Sequence, residues 1–88
     1  MANVKFHRRA RQYFKRLQPS LQNTIKEKLK KLAEDPENYP EVKKMEGKWA
    51  GFYRIRHGNL RIIYLYPQDK DLVLVTHIAP RGDIYKSR

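Results

Sequence analysis

The chain has 88 residues, no cysteine, and twenty Lys and Arg against nine Asp and Glu, for a formal charge of +11. That length fits one domain over residues 1–88, whose thin core hides only about 60% of the surface an unfolded chain exposes. The lack of cysteine excludes disulfides, thiolate metal sites and cysteine nucleophiles. No apolar run reaches the roughly 18 residues of a membrane span or the pattern of a signal peptide, so a cytoplasmic protein is expected. The charge excess favours anionic partners: nucleic acid, an anionic membrane surface or an acidic protein.

Met1 to Phe6 reads as an edge strand. From His7 the period changes: Phe6, Ala10, Tyr13, Phe14 and Leu17 recur at three and four residues, the mark of an amphipathic helix. Pro19-Ser20 interrupts it. A second helix follows with Leu21, Ile25, Leu29 and Leu32 on one stripe and Lys26, Lys28, Lys30 and Lys31 on its other faces. It stops before Pro36, because a residue preceding proline resists the α region. The two helices read as an antiparallel hairpin with one shared core face. Residues 36–50, with Pro36, Pro40 and Gly47, form a long connection that holds a short strand at 42–45.

The rest reads as β. Two alternating runs, Phe52 to His57 and Leu60 to Tyr66, flank Gly58-Asn59, a signal for a tight two-residue hairpin. Leu72 to Ala79 forms a third strand after a turn at Pro67 to Asp71, and Pro80 ends it. The fold class is therefore α+β: an N-terminal strand, a helical hairpin, then a three-stranded antiparallel meander packed on the helices.

A two-residue loop fixes the register. It sets His57 against Leu60, Arg56 against Arg61, Ile55 against Ile62 and Arg54 against Ile63. One face then carries Tyr53, Ile55, Leu60, Ile62 and Tyr64 and packs on the helices. The other carries Phe52, Arg54, Arg56, Arg61, Ile63 and Leu65. Arginines directly opposite each other destabilise a sheet, whereas guanidinium groups side by side suit phosphate oxygens. Solvent exposure, or acids brought from elsewhere, would also relieve them. If Tyr66 pairs with Leu72, then Val73, Val75 and His77 join the arginine face and His77 lies across from Arg61. Ile63 and Leu65 would be exposed apolar residues, suited to an interaction site. His77 reads either as a partly buried strand histidine or as a tentative general base. Arg81 lies at a strand end, a common functional position. Tyr85 is either a packing anchor or a site residue. His7, His57 and His77 form no metal-ligand cluster with the carboxylates.

Three segments together resemble the RelE/ParE superfamily of type II toxin–antitoxin toxins. They are Met45-Glu46-Gly47, the run Phe52 to Tyr64, and Ile78 to Tyr85 with its Arg81-x-x-x-Tyr85 tail. The resemblance implies a RelE-like fold in a prokaryotic cytoplasmic toxin that needs no cofactor. It also implies a ribosome-dependent endoribonuclease, or mRNA interferase, that cuts mRNA in the A site by 2′-OH transesterification and so inhibits translation. The catalytic positions that match are Arg54, Arg56, Arg61, Arg81 and Tyr85. The implied partners are the ribosome, mRNA and a cognate antitoxin with acidic, amphipathic segments. ParE-like members share much of the pattern, so a DNA gyrase inhibitor without nuclease activity is the alternative. A nucleic-acid-binding module without chemistry and an inactive toxin are further readings. Arg54 and Arg56 stand where the best-known RelE pattern has lysines, and arginine cannot act as a base.

Overall fold

The computed structural model describes residues 3–80. A strand β1 (Asn3–Phe6) leads into helices α1 (Arg8–Lys15) and α2 (Pro19–Leu32). The short strand β2 (Lys43–Lys44) precedes the hairpin β3 (Phe52–His57) and β4 (Leu60–Leu65), and β5 (Leu72–Pro80) follows. The strands form one five-stranded sheet in the order β1-β5-β4-β3-β2. The expected meander β3-β4-β5 is its centre. β1 runs parallel to β5 at one edge, and β2 runs antiparallel to β3 at the other.

Pro19 opens α2 rather than lying before it. The first turn of a helix leaves its N–H groups unpaired, so the missing proline donor costs nothing there. The corner between the helices is tied by Gln22, whose side-chain amide donates to the carbonyl of Leu17 at 2.8 Å. Ala10 and Phe14 of α1 and Ile25, Leu29 and Leu32 of α2 meet Ile55, Ile62, Tyr64, Val73 and Val75 of the sheet in the main core. Tyr64 is fully buried, and its hydroxyl donates to the carbonyl of Pro36 at 2.6 Å.

The β3–β4 register is the one expected, from Phe52 opposite Leu65 to His57 opposite Leu60. Gly58 has φ 60°, while Asn59 does not adopt a positive φ. That combination fits a II′-type turn, whose twist matches the strands.

The β4–β5 register departs from expectation. Leu65 pairs with Leu74 and Tyr64 with Val75, one residue away from the pairing that Tyr66 opposite Leu72 would give. Val73 and Val75 therefore fall on the helix side, fully buried, and not on the arginine face. A bulge then leaves Thr76 as an extra residue, so Ile63 pairs with His77 and Arg61 with Ala79. The bulge returns His77 to the arginine face, but opposite Ile63 and not Arg61.

That outer face is also not bare. Gly47–Trp49 forms a 3₁₀ turn that lays Trp49 over it. Trp49 and Ile63 form a second buried cluster with Met45, Phe52 and Ala79. Trp49 meets Phe52 edge-on at 5.2 Å. Ile63, expected to be exposed, is wholly buried, and Leu65 is partly buried. The sheet thus has apolar cover on both sides, thick on the helix side and small on the other.

Candidate phosphate-binding face

The outer face beyond Trp49 is cationic. Arg54 pairs across the sheet with Lys43 on one side and Ile63 on the other. Arg56 pairs with Arg61. Two like-charged pairs therefore stand directly opposite each other on adjacent strands, an arrangement that weakens a sheet. Glu41, Lys43, Arg54 and Arg56 line a cleft of about 290 Å³ along the β2–β3 edge. Three of its four charged walls are cations.

Arg61 sits differently from its neighbours. It is 6% exposed, and its Nε–H is buried without a hydrogen-bond acceptor. An unpaired buried donor of this kind costs about 1–3 kcal/mol. Among the described residues no acceptor reaches that nitrogen, and the guanidinium stands opposite Arg56, a pairing that a phosphate oxyanion would offset.

His77 lies on the same face, on β5. Its Nε2 is 2.9 Å from Nη1 of Arg9 on α1. Arginine only donates, so Nε2 is the acceptor and the proton rests on Nδ1. Nδ1 is 2.9 Å from Oγ1 of Thr76, the bulge residue, whose hydroxyl in turn donates to the carbonyl of Ile63 at 3.3 Å. Trp49 meets the imidazole ring edge-on at 4.9 Å. The histidine is thus oriented as a neutral ring with both nitrogens engaged.

Of the residues picked out in the sequence, the structure gathers Arg54 and Arg56 in one cleft, sets Arg61 beside Arg56, and puts His77 on the same face two strands from β3. Arg81 and Tyr85 lie outside the described residues. Lys43, Glu41 and Arg9 join the site unforeseen. Lys43 was already within the short strand expected at 42–45, and pairing that strand antiparallel to β3 would have brought it to the arginines. Arg9 gave no comparable signal, because its approach to His77 depends on the parallel pairing of β1 with β5. Among the described residues no group of three His, Asp or Glu side chains could hold a metal ion. Nor, among those residues, is any helix long and apolar enough to cross a membrane.

The family model of the ParE toxin of type II toxin–antitoxin systems (parDE) matches residues 4–85. The chain belongs to this toxin family. It is a RelE/ParE superfamily toxin of a toxin–antitoxin system. Comparison with curated proteins finds no match. Among solved structures, the chain resembles the intact E. coli RelBE toxin–antitoxin complex with 21% identity and a TM-score of 0.78, over 93% of this chain and 99% of that one. It resembles the archaeal RelE–RelB complex from Pyrococcus horikoshii OT3 with 25% identity and a TM-score of 0.76, over 92% and 96%. The RelBE2 complex from Mycobacterium tuberculosis gives 22% identity and a TM-score of 0.75, over 91% and 98%. The RelE-type fold, with two helices on an antiparallel-centred sheet, is common to this toxin and these structures.

Proposed function

We propose that this toxin is a ribosome-dependent endoribonuclease that cuts mRNA in the A site, and that Arg54, Arg56 and Arg61 bind the scissile phosphate. The observation that carries this reading is the buried, unpaired Nε of Arg61 beside a cleft walled by Lys43, Arg54 and Arg56. A fold that only needed stability would gain by replacing such a group.

The chemistry is transesterification. The 2′-hydroxyl loses a proton and its oxygen bonds to the adjacent phosphorus. The bond from phosphorus to the 5′ oxygen breaks, and that oxygen takes up a proton. The products are a 2′,3′-cyclic phosphate and a 5′-hydroxyl end. Negative charge grows on the phosphorane oxygens, where fixed guanidinium groups offset it. Arg81 stabilises the phosphate or assists the leaving group, and Tyr85 orients the 2′-hydroxyl or stacks on a base. No arginine can take the proton. His77 can do so only after Arg9 releases its Nε2. Glu41 lines the cleft at its margin, paired with Lys28 at 3.2 Å, and it can accept the proton of a hydroxyl brought to Arg54 and Arg56 only once that ammonium releases it. An antitoxin with acidic, amphipathic segments is the matching partner for a +11 chain.

Cleavage of mRNA on programmed ribosomes by Arg61→Ala and by the unaltered chain tests the reading. A loss of roughly 10²–10³-fold is expected for removal of one preorganised donor, and equal cleavage by both would reject the assignment. A ParE-like gyrase inhibitor remains the second reading, because the family model that matches is that of ParE. Inhibition of DNA supercoiling by purified gyrase, with intact transcripts on ribosomes, would favour it.

A further inference from the structure

The carboxylate in the cleft has a keeper on the other layer of the fold. Lys28 lies on α2, whose Ile25 and Leu29 pack against the helix side of the sheet. Its side chain is only 16% exposed and reaches the β2–β3 edge. There Nζ donates to the backbone carbonyl of Arg56 at 3.0 Å and stands 3.2 Å from Oε1 of Glu41.

The hairpin register explains why that carbonyl is open. A two-residue loop makes His57 and Leu60 the hydrogen-bonded pair, so the carbonyl of Arg56 points away from β4. β2 covers β3 only opposite Tyr53 and Arg54. Lys28 therefore takes the place of the missing strand at Arg56, which fixes where its ammonium stands. The ammonium in turn fixes Glu41, which is half exposed and contributes no strand hydrogen bond of its own.

We propose that Lys28 is a positioning residue of the phosphate cleft, holding the Glu41 carboxylate at the margin so that it does not occupy Arg56 and Lys43. The inference rests on the reading of the cleft as a phosphate site. A carboxylate tethered among cations competes with an incoming phosphate at high effective concentration. Engaged by Lys28, its charge is already offset, and it does not compete for Arg56 and Lys43.

The test is binding of a single-stranded 2′-deoxy oligonucleotide, uncleavable for want of the 2′-hydroxyl, followed by fluorescence anisotropy on the full chain. Lys28→Met is expected to weaken binding by about two- to fivefold, the range spanned by a partly exposed ion pair. Lys28→Arg keeps the cation and binds like the unaltered chain. The decisive variant is Lys28→Met with Glu41→Gln, which removes the competing charge and is expected to restore binding to at least the original level. A lysine that served only to brace α2 on the sheet would leave the double variant as weak as the single one, and that result overturns the proposal. Unchanged binding by Lys28→Met overturns it as well. Binding that ignores Arg54→Ala and Arg56→Ala overturns instead the phosphate-site reading beneath it.

Discussion

Arg61→Met should make the toxin more stable and less active at once. In the folded chain the Nε–H of Arg61 is buried and unpaired, a loss of about 1–3 kcal/mol. Its guanidinium also stands opposite Arg56, and a like-charged cross-strand pair costs roughly 0.2–1 kcal/mol. Methionine keeps an unbranched apolar stem against the sheet but fills less space, and a residual void subtracts about 1 kcal/mol. The net expectation is a gain of about 1 kcal/mol, a rise in Tm of roughly 4–8 °C for a domain of this size. Thermal unfolding followed by circular dichroism measures it, and cleavage of mRNA on programmed ribosomes measures the expected loss of activity in the same preparation. A Tm lowered by several degrees would show that Arg61 is part of the scaffold, and the inference from its buried, unpaired nitrogen to a ligand site would fail.

Four other outcomes follow from the packing and the backbone. Trp49→Ala removes the lid of the outer cluster and should cost about 3–5 kcal/mol, read as a lower urea midpoint. Gly58→Ala puts a side chain at φ 60° and should cost about 1 kcal/mol by the same measurement. Burial, then Tyr53 and then Glu37, raise the pKa of Tyr64 above its ordinary 10.0. Burial and Glu37 raise that of Tyr53, stacked on it at 5.4 Å. Above pH 10 the unfolded chain loses these protons first, so it binds fewer protons than the folded one and stability falls as pH rises. Urea midpoints should therefore be flat below pH 10 from this source and drop above it. Tyr64→Phe should lose about 1 kcal/mol at neutral pH with its bond to Pro36 and show a shallower alkaline drop. An equal drop in both chains would refute the attribution.

The parts of the fold that local chemistry dictates were legible in the sequence. The Gly58-Asn59 loop leaves one pairing for β3 and β4, so Arg56 opposite Arg61 follows from the loop length alone. The helix stripes were equally plain, since Ile25, Leu29 and Leu32 recur on one side of α2. The turn between β4 and β5 is longer and contains its own 3₁₀ segment at Gln68–Lys70, which does not fix a register. The bulge at Thr76 then shifts the pairing again, and no residue in the run Leu72 to Ala79 announces it. Trp49 lies between two glycines in a mixed-charge segment. Its role in covering Ile63 depends on a chain reversal that periodicity cannot reveal. The same limit hid Arg9 and Lys28, whose partners lie 68 and 28 residues away along the chain.

The most direct test of the central claim is to add the purified toxin to ribosomes programmed with a defined mRNA and map the ends of the products. Cuts within the A-site codon are predicted, leaving 2′,3′-cyclic phosphate and 5′-hydroxyl ends, and absent with Arg61→Met. Intact mRNA under conditions where the same preparation blocks gyrase supercoiling would contradict the account.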